Sequence, residues 1–405
     1  MSQIDPKSSL PESPEEAARS GTLIASLALK QRAGGIGVPA ATVIVAFLMG
    51  GLVVLATGHN PFLAYRDIFN GAGLNWIFHP TTNVANTAAY NLSQTLLQTT
   101  TLILCGLAVA FAFRCGMFNI GGQGQYLIGL VVGNWVGVDF AGMAPLPHIL
   151  LVLVAGTAAG AAWAGIAGLL KATVGAHEVI STIMLNWIAV WCGAWLFGDG
   201  GPLQNSANPT VPISNDVADS AKLPVFWGQQ ELQGLHIGFF IALAALVVFY
   251  LVLNRTTLGY EVRAVGFNPD AAAYGGINVK KNLFRAMAIS GAFAGLAGAL
   301  DMTGYLYHFG QIDVQTSSVG FLGIAVALLG RNTAVGTGLG ALLFGALLFG
   351  TTHGLTSSVI QPELAGSLTY IIQGLVVLFV GADVLILYVW NSRKRLRPRA
   401  KAATA

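Results

Sequence analysis

Uncharged apolar runs of about twenty residues recur along this chain, and they constrain its fold more than any other feature. Residues 148–170, "HILLVLVAGTAAGAAWAGIAGLL", carry no Asp, Glu, Lys or Arg. A helix of that length covers the roughly 30 Å of a bilayer's hydrocarbon core. In lipid every backbone N–H and C=O has to be satisfied within the protein, so such a run folds as a helix. Composition agrees. Of 405 residues 54% are hydrophobic and only 9% charged, against roughly 25% charged in a soluble domain, and the mean hydropathy is +0.67. The fold class is therefore an all-α polytopic membrane protein. The 51 glycines suit it, because glycine lets membrane helices approach closely and tolerates breaks where backbone lines a cavity.

Ten transmembrane helices are expected, near 38–57, 91–113, 121–138, 148–170, 179–198, 235–253, 284–302, 317–330, 335–352 and 366–390, the eighth and ninth short enough to be broken or tilted. Charge supports the count. With a cytoplasmic N-terminus, eighteen of the twenty Lys and Arg residues fall inside and only Arg66 and Lys222 outside, as the positive-inside rule demands. Both termini are thus expected in the cytoplasm. Residues 1–36 read as a cytoplasmic polar tail without the basic start and short apolar core of a cleavable signal, and 37–390 as the transmembrane domain. Within it, Pro/Asn/Asp-rich 199–234 is an extracytoplasmic loop and 254–283, with four basic residues between 255 and 281, a cytoplasmic one. Residues 391–405 hold the basic tail "RKRLRPRAK", a stop-transfer anchor or a contact for anionic membrane lipid. Nothing in this pattern calls for a nucleic-acid partner.

One segment breaks the apolar rule. "RCGMFNIGGQGQ" (114–125) places an arginine, an asparagine, two glutamines and four glycines between two spans. Irregular backbone at membrane depth persists only against protein or a water-filled path. Gly121, Gly122 and Gly124 loosen the chain there, while Asn119, Gln123 and Gln125 supply neutral donors and acceptors. Two readings stand: amides lining a path for an uncharged polar solute, or a plain cytoplasmic turn with Arg114 at the lipid surface.

The residues around this break carry a resemblance. "LAVAFAFRCGMFNIGGQGQYLIG" (107–129) resembles the hallmark of permease subunits of bacterial ABC importers for nucleosides and simple sugars, within the branched-chain amino acid and ribose permease superfamily. "VGAHEVISTIMLNWIA" (174–189), "LGYEVRAVGFNPDAAAYGGINV" (258–279), "ISGAFAGLAGAL" (289–300) and "GFLGIAVALLGRN" (320–332) are similar to later family segments, in the same order. The likeness spans about 38–385. Gln123 departs from it, standing where the family usually carries a glutamate, so only an amide lining role is expected of it. The resemblance implies a bacterial inner-membrane subunit that is not itself an enzyme. It also implies a separate cytoplasmic ATPase, a second permease that is related but different, and an extracytoplasmic substrate-binding protein. No cofactor is expected in this chain, because none of its eight lysines sits in the GxxxxGK[ST] setting of a phosphate-cradling loop. "IGGQ" (120–123) resembles part of an ATPase signature but lies between spans with no nucleotide-binding domain around it.

The cytoplasmic loop holds "NPDAAAYGG" (268–276). Asn268 suits a helix N-cap, Pro269 the first turn and Asp270 the positive end of the dipole; Gly275 or Gly276 can close the helix. A short rigid helix is predicted. The resemblance makes it the loop that docks on the ATPase, with Arg263, Gly266, Asn268, Ala272 and Gly276 matching the motif; an ordinary loop helix is the alternative. Glu178 and Asn186, eight residues apart on one span, join Asn119, Gln123 and Gln125 as candidate path residues, although Glu178 lies close enough to the boundary for helix-end chemistry. Asp301 and Gln373 are weaker path candidates.

Several features take structural readings. Trp187, Trp191 and Trp195 form one stripe for packing or interfacial anchoring, with stacking on a nucleobase as the other option. "GTAAG" (156–160), "GAFAG" (291–295) and "GTGLG" (336–340) have the spacing of helix-packing faces. Cys105, Cys115 and Cys192 lack metal-type spacing and suit buried packing; no metal site is expected. "GLAVAFAFR" (106–114) and "GIAVALLGR" (323–331) echo each other, by an internal repeat or by chance. An ion-coupled secondary transporter would need intramembrane carboxylates, of which this chain has few, and a membrane transferase would need clustered acids or histidines.

Overall fold

The computed structural model of this protein describes residues 37–355, apart from 57, 79, 81–83, 206, 208–209 and 229–232, and a few positions between 367 and 378. The tails 1–36 and 391–405, and most of the expected span 366–390 including Gln373, lie outside the described residues. The chain opens with α1 (Gly37–Ala56), α2 (Pro61–Gly71) and a short helical turn (Leu74–Ile77). Four long helices follow: α3 (Val84–Arg114), α4 (Gly122–Asp139), α5 (Pro145–Val174) and α6 (Glu178–Phe197). A two-stranded antiparallel ribbon, β1 (Val225–Trp227) and β2 (Leu235–His236), precedes α7 (Gly238–Arg255), α8 (Thr257–Phe267) and α9 (Pro269–Tyr274). The described run ends with α10 (Val279–Asp301) and its wide-turn extension Met302–Leu306, then α11 (Gln311–Thr316), α12 (Val319–Leu329) and α13 (Ala334–Gly354).

Among the described residues, seven helical segments are long and apolar enough to cross a membrane, and an eighth if α1 and α2, bent at 117°, form one broken span. Most expected spans have their helix, several with longer ends: α3 starts seven residues before 91, and α5 runs from Pro145 to Val174. α4 is not among the seven. Its sequence, "GQGQYLIGLVVGNWVGVD", is interrupted by Gln123, Gln125, Asn134 and Asp139. It tolerates them because Gly122 through Leu127 are all buried in protein, where polar groups find partners that lipid withholds. The expected eighth span, 317–330, holds α12, and α11 precedes it across a break at Ser317–Ser318.

α2 was not foreseen from hydropathy. The Asn60 side chain caps it by accepting from Phe62 N–H at 2.9 Å, and Pro61 starts it. Its buried side, Ala64, Ile68 and Gly71, follows the spacing of one helix face. Gly71 packs so closely on α13 that a Cβ there would lie 2.4 Å from Gly354 backbone.

α3 is the axis of the bundle. From Leu102 to Ala112 each of its apolar side chains is buried, as expected of a helix enclosed on all sides. Around it the small-residue motifs meet one another. Gly156 and Gly160 of α5 face Gly291 and Gly295 of α10, and a Cβ on Gly295 would sit 2.4 Å from the Gly156 carbonyl oxygen. Gly336 and Gly340 of α13 face Gly330 and Val326 at the end of α12. The echoed segments also touch, a Cβ on Gly106 falling 2.7 Å from the Val326 side chain. Such contact without side-chain interleaving supplies the dispersion that holds membrane helices together. Trp187, Trp191 and Trp195 are each more than half exposed, so their stripe points away from the bundle interior.

Candidate functional site

α3 ends at Arg114 and the chain re-enters the bundle as α4, through Gly116 at φ +74°, a left-handed position that favours glycine. All the candidate path residues in and near this break are buried. Asn119 and Gln125 form a reciprocal pair, each amide nitrogen donating to the other's oxygen at 2.9 Å. Asn119 Nδ2 also donates to Ser290 Oγ of α10 at 2.6 Å, and Ser290 donates to the Ala108 carbonyl of α3 at 2.5 Å. Asn119 Oδ1 further accepts from Gly121 N–H.

The other two amides close helix ends. A helix begins with four N–H groups that lack intrahelical partners. At the start of α4, Gly124 N–H donates to Asn186 Oδ1 of α6 at 2.8 Å, while Asn186 Nδ2 donates to the Ile120 carbonyl at 2.9 Å. At the start of α12, Gly320 N–H donates to Gln123 Oε1 at 2.7 Å, and Gln123 Nε2 reaches Ser317 Oγ at 3.2 Å. Two breaks in the membrane-embedded backbone are thus stitched by side chains from α4 and α6. Leaving one such buried group unpaired costs about 1–3 kcal/mol. Glu178 stands apart. It begins α6 and forms an ion pair with Lys171 at the end of α5, 2.8 Å away.

A second buried polar group lies toward the other end of α10. Asp301 accepts from Thr101 Oγ1 of α3 at 2.6 Å and from Tyr126 OH of α4 at 2.8 Å, and the Tyr305 hydroxyl joins them. Asp301 stood out in the sequence as an intramembrane acid. Thr101, Tyr126 and Ser290 carried no such signal, being ordinary members of apolar runs.

The loop between α6 and α7 folds over this end. Asn134 Nδ2 donates to Ser214 Oγ and to the Asn215 carbonyl, both at 3.1 Å. Ala218 N–H meets the Gly137 carbonyl, and Val217 and Leu223 N–H groups meet the Tyr307 and Thr303 carbonyls. His148 Nδ1 lies 2.8 Å from Ser220 Oγ. On the loop surface Lys222, 2.6 Å from Asp219, holds that carboxyl below its usual range. The loop is docked on the ends of α4, α5 and α10.

On the opposite side the predicted short helix is present as α9, with Asn268 Oδ1 accepting from Asp270 and Ala271 N–H groups at 3.0 Å. It closes at Gly275 and Gly276, the latter at φ +81°. Of the motif residues Ala272 is buried, Arg263 half-buried, and Gly266, Asn268 and Gly276 exposed. Ala272 and Val265 are buried, Arg263 Nη1 donates to Asn254 Oδ1 at 3.0 Å, and Asn282 of α10 donates to Glu261 of α8 at 2.9 Å. Gly266 rests on the end of α3, where a Cβ would lie 2.3 Å from the Arg114 carbonyl oxygen. The large side chains of the outward surface are Phe267 and Tyr274, 89% and 96% exposed, which the motif did not single out.

The family model described as branched-chain amino acid transport system / permease component matches residues 91–381. The guanosine ABC transporter permease protein NupP of Bacillus subtilis is 37% identical over 88% of this chain and 96% of its own length. The nucleoside ABC transporter permease protein NupB of Lactococcus lactis is 33% identical over 91% of this chain and 94% of its own. A glucose ABC transporter permease protein of Haloferax volcanii is 33% identical, covering 85% and 86%. No solved structure matches the chain.

Proposed function

This chain belongs to the branched-chain amino acid transport system permease component family, and from that premise we propose how it works as the membrane-spanning permease subunit of an ABC importer for a nucleoside or simple sugar. A binding protein outside the membrane delivers the solute. The path runs between this subunit and a second permease, related but different, in the bacterial inner membrane. ATP is bound and hydrolysed by a separate cytoplasmic ATPase. Both termini of this chain lie on the ATPase side, supported by the eighteen basic residues that the ten-span topology places there.

The observation that carries this mechanism is the seating of Gly266 directly on the Arg114–Gly116 backbone. The rigid α8–α9 loop, with Arg263, Gly266, Asn268, Ala272 and Gly276, receives the motion of the ATPase. It passes that motion to the hinge where α3 turns into the amide cluster. Asn119, Gln123, Gln125 and Asn186 hold α4 to α6, α10 and α12 in the closed arrangement. As those helices part, the same neutral donors and acceptors are offered to the solute's hydroxyl and ring groups, with Glu178 at the rim beside Lys171. A neutral lining pairs with an uncharged solute without the desolvation penalty of a buried charge.

Reconstitution tests this. Proteoliposomes holding the permease pair, the ATPase and the receptor should accumulate labelled guanosine or glucose only with ATP inside. Asn186→Leu, which strips two bonds from the start of α4, should lower that uptake at least about tenfold. Uptake driven by an ion gradient with the ATPase omitted would instead identify a secondary transporter.

A further inference from the structure

Asp301 is buried where α10 changes pitch, and its carboxylate accepts from three neutral hydroxyls: Thr101 of α3, Tyr126 of α4 and Tyr305 of the wide turn itself. An acid is costly to keep inside a membrane bundle and calls for a role. The turn just beyond it shows what this one holds. In an α-helix Tyr307 N–H would donate to the Thr303 carbonyl, four residues back. Here it donates to the Met302 carbonyl, five back, at 3.0 Å. Tyr307 itself sits at φ +61°, a strained position for a residue with a bulky side chain. The Thr303 carbonyl is thereby left to the loop between α6 and α7, accepting from Leu223 N–H at 2.8 Å. The Tyr307 and Phe309 carbonyls take the Val217 and Ser214 N–H groups at 2.9 and 3.0 Å. From another side His236 packs on the same turn at Gly304. Wide turns of this kind recur at functional sites.

We propose that Asp301 is a positioning residue for the surface on which the substrate-binding protein lands. Its carboxylate holds Tyr305 within the wide turn, while Thr101 and Tyr126 anchor the same carboxylate to α3 and α4. The turn is thus fixed in the shape that presents the Thr303 carbonyl to the loop, and the loop is held ordered on the end of the bundle. A loop ordered in advance spares the receptor the cost of ordering it on arrival. Asp301 does not meet the solute in this role: it is 1% exposed, and both carboxylate oxygens accept within the bundle. The proposal rests on the importer reading above, which puts this face outside the membrane.

The test keeps Asp301 and removes its donors, in the complete transporter with its ATPase and second permease. Thr101→Val combined with Tyr126→Phe preserves shape and strips two of the three hydroxyls. Hydrogen-exchange protection of peptides covering 214–224 should fall about tenfold or more, while that of α9 and of the α5–α10 seam stays as in the wild type. In proteoliposomes the concentration of guanosine- or glucose-loaded receptor giving half-maximal uptake should rise about threefold or more at an unchanged maximal rate. Thr101→Ser, which keeps the hydroxyl, should behave as the wild type in both assays. Tyr126→Phe alone, with a smaller effect in the same direction, serves if the double variant does not assemble. Unchanged protection over 214–224 overturns the proposal and leaves the importer reading intact. So does protection lost evenly across the bundle, which would make Asp301 a packing element only. A lower maximal rate at an unchanged receptor requirement places Asp301 in the path instead. Should wild-type uptake need no receptor, the importer reading falls and this proposal with it, whatever the exchange shows.

Discussion

Single residues in this protein are held by partners far away in the chain, and His236 shows the consequence for pH. Its side chain is buried at the end of the loop between α6 and α7, Nδ1 accepting from Gly238 N–H at 3.1 Å. Gly304 lies so close that a Cβ there would fall 2.2 Å from Nε2. Burial pushes its pKa down to about 4. The unfolded chain, with the ordinary value near 6.5, therefore binds the proton more readily than the folded one. Stability from neutral His236 is complete above that value and is lost progressively as pH falls from about 6.5 toward about 4, on the order of 3 kcal/mol in all. Hydrogen-exchange protection across 210–228, measured against the intrinsic rate at each pH, should fall between about pH 7.5 and about pH 5. His236→Gln, which cannot take up the proton, should flatten that difference; an unchanged pH response in the variant would show that another group is responsible.

At the scale of elements, the seam between α5 and α10 sets how closely the bundle packs. Gly156, Gly160, Gly291 and Gly295 bring the two backbones into contact, and no side chain there can retract to make room. Gly295→Ala is expected to destabilise the protein by roughly 1–3 kcal/mol, the usual cost of overpacking a filled interior, lowering the unfolding temperature in detergent. Gly142→Ala, at a position with nothing within 4 Å of its Cβ, should leave that temperature unchanged. Equal behaviour of the two variants would mean that the seam opens freely. The contrast between α4 and α5 makes the same point about elements. Both join the same packing, yet α5 is largely apolar between His148 and Lys171 while α4 carries polar groups that only protein neighbours can satisfy.

For the molecule as a whole, the proposed topology puts the docked loop and the α8–α9 surface on opposite faces of the bilayer. Cysteines introduced for Asp219 and Tyr274, in a background with Cys105, Cys115 and Cys192 replaced, should be labelled by a membrane-impermeant maleimide from opposite sides: position 219 in intact cells, position 274 only in inside-out vesicles. Both side chains are well exposed, so failure to react would not follow from burial. Labelling of both from one side would overturn the orientation taken from the basic residues.

Residence in a bilayer, the start and stop of most helices, the small-residue seams and the Asn268-capped helix were legible in the sequence, because hydropathy, capping and glycine spacing act over a few neighbouring residues. The break at 114–125 was legible as an anomaly, and its residues resembled a family that the match over 91–381 then showed. Which helix each amide would close was not. Asn186 meets Gly124 across 62 residues, Gln123 meets Gly320 across 197, and Thr101 meets Asp301 across 200. The burial of α4, the folding-back of α2 and the gathering of three hydroxyls on Asp301 are of the same kind. Each depends on which surfaces close on one another once the helices pack, and a hydrogen bond or a polar cluster formed across the bundle leaves no periodicity along the chain.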